Sequence, residues 1–463
     1  MSEPIRALSV SARGLLRRKS LWLPSAVIVG LLSFVLSLLY LGANNDPVGS
    51  TKDMPIALVN ADRGTQVAGR PIDLGAQIVA QVTGSEDLKG KVAWKQVDRA
   101  TADDLLGKDK VFGALVIPED FSASVAALAG PAQHDPHPPT ITVLTNPAAG
   151  SFGSSMATEI NRNVVQATSV QVGHQLTEQL AKQQAAQQAA QKAEHPAGRP
   201  AADGSAAQQA APGAAAQLMV ADPVKAVIQE GHPLGHHSGL GLSAFFYTLV
   251  LVLGGMLGAN VIHTQVDTSL GYISSEKGPF RSTAPAQHIS RTRHFAVASV
   301  LMIGVSALTS ALAMAAAVGI IGIDASHLPM LWLFGTCATA AMGITALALL
   351  AAFGTPGPLV SMLVLIGLAI PSAGATIPLE ALPDFYRFLA DFEPFRQVVD
   401  GVRSILYFGA QADAGLGRAW AMVGIGFVIA LALGFAVTRL YDRKGLHRSH
   451  AHAHAPQPAP VAG

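Results

Sequence analysis

"LGLSAFFYTLVLVLGGMLGANVI", residues 240–262, contains no Asp, Glu, Lys or Arg. It exceeds the roughly 20 mostly apolar residues a helix needs to cross a bilayer core of about 30 Å. Four later runs, 295–323, 330–353, 359–377 and 419–437, are equally free of charge. An earlier run, "LWLPSAVIVGLLSFVLSLLYL" at 21–41, is longer than a secretory apolar segment of about 7–15 residues. No A-x-A-like cleavage site follows it, so it reads as an uncleaved signal anchor. The whole chain agrees. Of its 463 residues 50% are hydrophobic and 13% charged, about half the charge of a soluble domain. Mean hydropathy is +0.37. The expected fold is an α-helical polytopic membrane protein with six transmembrane helices.

Orientation follows the Lys/Arg bias of the short flanks. Arg6, Arg13, Arg17, Arg18 and Lys19 precede the first run. The connector 263–294 carries Lys277, Arg281, Arg291 and Arg293, and the tail 438–463 carries Arg439, Arg443, Lys444 and Arg448. Six spans place all three segments on one side, the cytoplasm of a bacterial inner membrane. The basic segment 1–20 reads as an amphipathic helix on that surface. Residues 42–239 then lie outside the cell.

Within 42–194 the pattern is that of a small α/β domain, inserted between the first and second spans. "PIALVN" and "VFGALVI" are short continuous apolar runs, as in strands covered on both faces. "KVAWKQV" and "TITVLT" are weaker strands. Thr101 with Asp104 resembles a capping box. Pro118, Glu119 and Asp120 open a helix that presents Phe121, Val125 and Leu128 on one face. A long helix starts near Ser151, with Met156, Ile160, Val164 and Ala167 as its apolar stripe. Residues 195–239, rich in Ala, Gln, Pro and Gly at first, read as a flexible linker.

Little of this points to chemistry. Asn60, Asp62 and Gly64 follow the first strand, but a calcium loop would need Asp or Asn at position 5, glycine at 6 and Glu at 12; the chain has Gly64, Thr65 and Pro71 there. A turn is the better reading. No P-loop, G-x-S-x-G or H-E-x-x-H occurs, and no enzyme site or cofactor site is read. Net charge +1 gives no nucleic-acid signal. His134 and His137, then His232, His236 and His237, then His447, His450, His452 and His454 lie among Pro, Gly and Ala and carry at most incidental metal affinity. Cys337, the single cysteine, precludes an intrachain disulfide. Gly254 and Gly258 form a G-x-x-x-G, a helix-packing device. The spans lack the ionisable residues that coupled pumps use, so energy for transport has to enter elsewhere. The connector 263–294, with Glu276, Lys277, Arg281, Arg291 and Arg293, is either a topology signal or a docking surface for a separate ATPase. The segment 378–418 mixes aromatics with Asp and Arg and reads as short outer interfacial or re-entrant helices.

Four stretches together resemble the phage infection protein (YhgE/Pip-type) family, within the type 2 ABC-transporter permeases. They are "MPIALVNADRG", "KVFGALVIPEDFSASV", "HPLGHHSGLGLSAFFYTLVLVLGGML" and "LPDFYRFLADFEPFRQVVDGVRSILYFG", in the family's order. The outer region is shorter than many members carry. The resemblance implies a permease-like subunit of an export system, paired as a homodimer or heterodimer in the lipid bilayer and energised by a nucleotide-binding partner. The other reading is a non-transporting envelope scaffold or receptor whose outer domain binds a partner.

Overall fold

Strand β1, Met54–Asn60, is buried on both faces, and the rest of the α/β domain is arranged by that fact. The structure, a computed structural model, describes residues 19–67, 70–128, 138–194, 222–282 and 287–446. Beyond these lie most of the basic N-terminal segment, His134 and His137, most of the low-complexity stretch, and the tail histidines.

β1 pairs in parallel with β4, Val92–Gln96, and with β5, Gly113–Ile117. β5 pairs antiparallel with β6, Thr140–Thr145. β7, Lys225–Glu230, pairs in parallel with β6 and ends the sheet, whose order is β4-β1-β5-β6-β7. Strand period 2 sorts the side chains onto two faces. Leu58, Leu115, Ile117, Ile141 and Val143 meet helices α2 (Leu74–Thr83), α4 (Phe121–Leu128) and α5 (Ser151–Glu194). Ala57, Val59, Ala114, Val116 and Leu144 meet α3, Arg99–Gly107, through Ala102 and Leu106. A small hairpin, β2 (Thr65–Val67) and β3 (Arg70–Ile72), precedes α2.

Three expectations change. The linker 195–239 does not extend to its end, because 225–230 completes the sheet. "KAVIQE" gave no strand signal, since as an edge strand it is mostly exposed and has no apolar face to bury. The cap of α3 is Asp98, in extended conformation, whose carboxylate accepts from Thr101 N at 2.7 Å; Thr101 lies inside the helix. The buried stripe of α5 runs through Ala157, Val164, Val165, Val172 and Leu176, and Ala167 faces outward.

The turn after β1 is a turn, and a fastened one. Asn60 Oδ1 accepts from Asp62 N. Asp62 Oδ2 accepts from Gly75 N at 3.0 Å and from Ser122 Oγ, and its Oδ1 accepts from Ser122 N at 3.0 Å. One carboxylate thus meets the amino-terminal ends of both α2 and α4, where free amides and the helix dipoles favour a negative charge.

Among the described residues, five helices are long and apolar enough to cross a membrane. They are α1 (Lys19–Ala43), α6 (Ser243–Ser269), α7 (Arg291–Met314, continued by a π-helical stretch Ala315–Ile320), α8 (Leu328–Phe353) and α12 (Leu416–Arg443). The run 359–377 forms a shorter apolar helix, α9, Gly357–Ser372. A π-helical stretch, Leu363–Gly367, interrupts it. At 1.5 Å per residue α9 falls short of a bilayer core of about 30 Å. α8 is the most enclosed, with Phe334, Ala338, Ile344, Ala346 and Ala348 fully buried among α6, α7 and α12. Two short helices, α10 (Asp384–Phe392) and α11 (Pro394–Tyr407), precede α12.

Replacing Asp62 by Ala removes a carboxylate that receives hydrogen bonds at two helix ends, each worth about 1.5–3 kcal/mol when the acceptor is charged. The expected result for Asp62→Ala in the detergent-solubilised chain is faster limited proteolysis within 54–128, with the membrane helices still protected; unchanged cleavage would contradict the staple.

Candidate functional site

Two clusters of polar residues lie at opposite ends of the helix bundle. The first joins it to the α/β domain. α11 is capped by Glu393, whose Oε1 accepts from Phe395 N at 2.7 Å and Oε2 from Arg396 N at 2.8 Å. Burial pushes this carboxyl up to about 7, against the pull of the two amides and of Arg396. Arg403, buried on the same helix, lies 3.7 Å from Asp109 and 4.0 Å from Asp400. Burial also raises the Asp109 carboxyl, and Arg403 opposes that rise. Tyr407 OH accepts from Ala244 N at 3.1 Å and donates to Ser238 O at 3.3 Å. His232 bonds Tyr407 O at 2.8 Å and stacks on Phe408 at 5.1 Å, so this histidine is a structural contact. His237 likewise bonds Gly322 O. Beside the junction, Phe385, Phe388 and Phe392 of α10 are all exposed. Their spacing of three and four places them on one helix face, as an interfacial helix requires.

The second cluster lies at the far end, in the connector 263–294. Both its ends are helical: α6 runs on to Ser269 and α7 begins at Arg291. Between them stands a hairpin, β8 (Ser275–Lys277) and β9 (Phe280–Ser282). Gly278, at φ +61°, supplies the left-handed turn residue that a two-residue hairpin loop needs. Of the five residues singled out in the sequence, the hairpin brings together Glu276 and Arg281, 3.6 Å apart across the strands, and puts Lys277 at its turn. Arg293 is exposed on the first turn of α7. Arg291 turns elsewhere. Its Nε donates to Leu446 O at 2.7 Å and its guanidinium lies 5.3 Å from the centre of the Tyr441 ring. Asp442, near the end of α12, accepts from Arg291 N, Thr292 N and Thr292 Oγ1 at 2.7–3.0 Å. This carboxylate fastens the last membrane helix to the start of α7. Phe280, at the tip of the hairpin, is 77% exposed.

At the two helical ends of this connector, His263, Asp267 and His294 converge. His294 Nε2 is 2.8 Å from Asp267 Oδ1, and His263 Nε2 is 3.5 Å from Asp267 Oδ2. None of the three was singled out in the sequence, because the apolar runs end at 262 and begin again at 295. The available signal was the i, i+4 spacing of His263 and Asp267.

Gly254 and Gly258 both face α7: a Cβ on Gly254 would lie 2.8 Å from Thr309 Cγ2, and one on Gly258 3.4 Å from Met302 Cε. Gly255 between them is tighter still. Its Cβ would lie 2.7 Å from Thr339 O and 3.0 Å from Gly343 N, both backbone atoms of α8.

With this architecture in view, comparison with known proteins is informative. Residues 25–427 match the family described as protein of unknown function (DUF3533). The chain belongs to that family. It is also 23% identical over 215 residues to the uncharacterized protein YhgE of Bacillus subtilis (strain 168), covering 46% of this chain and 25% of that one. The match thus spans about a quarter of the length of that relative. Both findings support the YhgE/Pip-type assignment drawn from the four sequence stretches. No solved structure matches.

Two outcomes follow from the geometry. Gly255→Val forces the α6–α8 contact apart and is expected to cost about 1–3 kcal/mol, the usual range for overpacking; the measurement is the melting temperature in detergent, with Gly304→Val, which faces open space, as the control. For Glu393 the sign is fixed by a carboxyl whose pKa rises on folding from 4.5 to about 7. The folded state then holds the proton more tightly, so its contribution to stability is full below pH 4.5 and is lost as pH rises towards 7, by up to ~3 kcal/mol. Thermal stability measured from pH 5 to 8 should show this decline in the native protein and a flatter profile in Glu393→Gln.

Proposed function

We propose that this chain is a membrane-spanning, permease-like subunit of an ABC-type export system, energised by a separate ATPase. The observation that supports this most directly is the hairpin at the far end of the bundle. It carries an exposed aromatic tip, Phe280, beside the Glu276–Arg281 pair, and Arg293 is exposed on the first turn of α7. A central aromatic with a charged rim has the make-up of a protein-binding hot spot. The hairpin stands in the connector between α6 and α7, so a partner docked there bears on two membrane helices at once. The absence of a P-loop from the sequence is in keeping with an ATPase on another chain.

In this reading the hairpin end faces the cytoplasm, because Arg281, Arg291, Arg293, Arg439, Arg443 and Lys444 gather there. The protein sits in the bacterial inner membrane with both termini inside and the α/β domain outside. α9 counts as a sixth, short crossing. Two such chains pair to form the pathway, as homodimer or heterodimer. The apolar side chains exposed along α1, among them Val27, Leu31, Phe34 and Leu38, face lipid or the second chain.

A second reading has an observation of its own. A cavity of about 190 Å³, lined by Thr65, Leu74, Ser122, Val172 and Leu176 among others, opens in the α/β domain. A scaffold or receptor would use it to hold a partner outside the cell.

The two are separated by a pull-down from solubilised membranes. The native protein should recover a nucleotide-binding subunit, and Phe280→Ala with Arg281→Glu should reduce recovery at least tenfold, in line with hot-spot losses of about 2 kcal/mol or more. No such subunit recovered, with the phenotype unchanged when candidate ATPase genes are deleted, overturns the transport reading. Loss of phenotype in Val172→Arg, with membrane insertion and ATPase recovery intact, favours the receptor.

A further inference from the structure

We propose that His263, Asp267 and His294 form a binding site for a divalent transition-metal ion, of which Zn²⁺ suits the donors best. The proposal does not rest on the transport reading.

Two imidazole nitrogens and a carboxylate are a recurrent donor set for such ions. Here they come from two helices. His263 and Asp267 are one turn apart on α6, so their side chains emerge on the same face. His294 follows the Ser290 cap of α7, and its ring lies 5.2 Å from that of His263 at 78°. One donor atom from each of the three lies within 4.8 Å of the others. Zn–N and Zn–O bonds of about 2.0–2.1 Å place tetrahedral donors roughly 3.3 Å apart. The observed separations from Asp267, 2.8 and 3.5 Å, lie on either side of that value. Those two separations run to the two different oxygens of one carboxylate, and binding asks the three donors, already within 4.8 Å of one another, to close on the ion by side-chain adjustment.

Burial adds to the case. The Asp267 and His294 side chains are 6% and 9% exposed and that of His263 18%. A buried carboxylate held between two imidazoles is a donor set whose charge a divalent cation neutralises well. A cavity of about 20 Å³, room for one water, adjoins the two histidines and is also lined by Tyr272, Ile289 and Arg291. That water would complete four-coordination.

The position gives the ion a consequence. It would bind the last turns of α6 to the first turn of α7 at the base of the hairpin, so occupancy would stiffen the platform on which the hairpin stands.

The histidine-rich tail would confuse a binding measurement, so the test uses the full-length chain with His447, His450, His452 and His454 replaced by Ala. After stripping with EDTA and dialysis, Zn²⁺ is titrated and bound metal counted by mass spectrometry, with the melting temperature followed in parallel. The expected result is one Zn²⁺ per chain and a rise of several degrees. Both should be lost in His263→Ala, the most exposed member, and in Asp267→Asn, which keeps size and hydrogen bonding. Gel filtration and circular dichroism check that the variants fold. Should Asp267→Asn fail that check, Co²⁺ absorption bands in the visible that disappear in His263→Ala give the same answer. Equal Zn²⁺ binding and stabilisation in the parent and in both variants overturns the site. So does a parent that binds no Zn²⁺ but whose stability depends on pH in a way that Asp267→Asn abolishes, since the cluster is then a proton-linked pair.

Discussion

Helix starts need hydrogen-bond acceptors, and in this protein carboxylates supply several of them, two from distant parts of the chain and one as a local cap. Four amides at the start of every helix have no partner within it, and in or near hydrocarbon water is not there to take them. Asp62 serves two helices of the α/β domain, Glu393 serves α11 at the junction, and Asp442 reaches from the end of α12 to the start of α7. Each bond does more than cap. Asp62 sets how α2 and α4 sit against the sheet, and Asp442 decides where the last membrane helix ends relative to α7. With only 13% of its residues charged, the chain places these few where they join elements.

The same constraint explains what could be read from the sequence. A crossing helix must be long, apolar and continuous, so 21–41, 240–262, 295–323, 330–353 and 419–437 were plain, and each became a helix slightly longer than its run. β1 and β5 were plain because strands covered on both faces need an unbroken apolar run. β7 was not, because an edge strand owes its place to hydrogen bonds with β6 and buries almost no side chain. Asp98 was passed over for Thr101 because both residue types cap helices, and only the backbone conformation tells which one does.

Neither polar cluster could be found by inspecting motifs. His263, Asp267 and His294 are split between the tails of two apolar runs, and their meeting depends on α6 continuing past the hydrophobic stretch. Arg403 and Asp109 are separated by most of the chain. Glu276 and Arg281 were visible as charges, but their pairing depends on the turn at Gly278. Arg291, read as one more loop cation, is occupied with Leu446 and Tyr441. Composition marks where polar residues gather, while their roles follow from which helix ends the fold brings together.

The two ends of the bundle are linked by the helices themselves. α6 leaves the hairpin base and arrives at the junction beside Tyr407, whose hydroxyl accepts from Ala244 N. α7 leaves the same base and arrives near Gly322, held by His237. A straight α-helix transmits a shift of one end to the other, because its hydrogen-bonded backbone compresses little. α7, however, changes to π-helical winding at Ala315–Ile320, just before the junction, and α9 does so at Leu363–Gly367. Such stretches are rare, and they are frequent at functional sites because the looser winding can be rearranged at small cost. α6, unbroken and tightened against α8 at Gly255, is built to move as a rod. α7 carries its looser winding at the end near His237. The two helices that flank the hairpin therefore differ in build, α6 continuous and clamped to α8 at Gly255, α7 rewound at the end where His237 bonds Gly322.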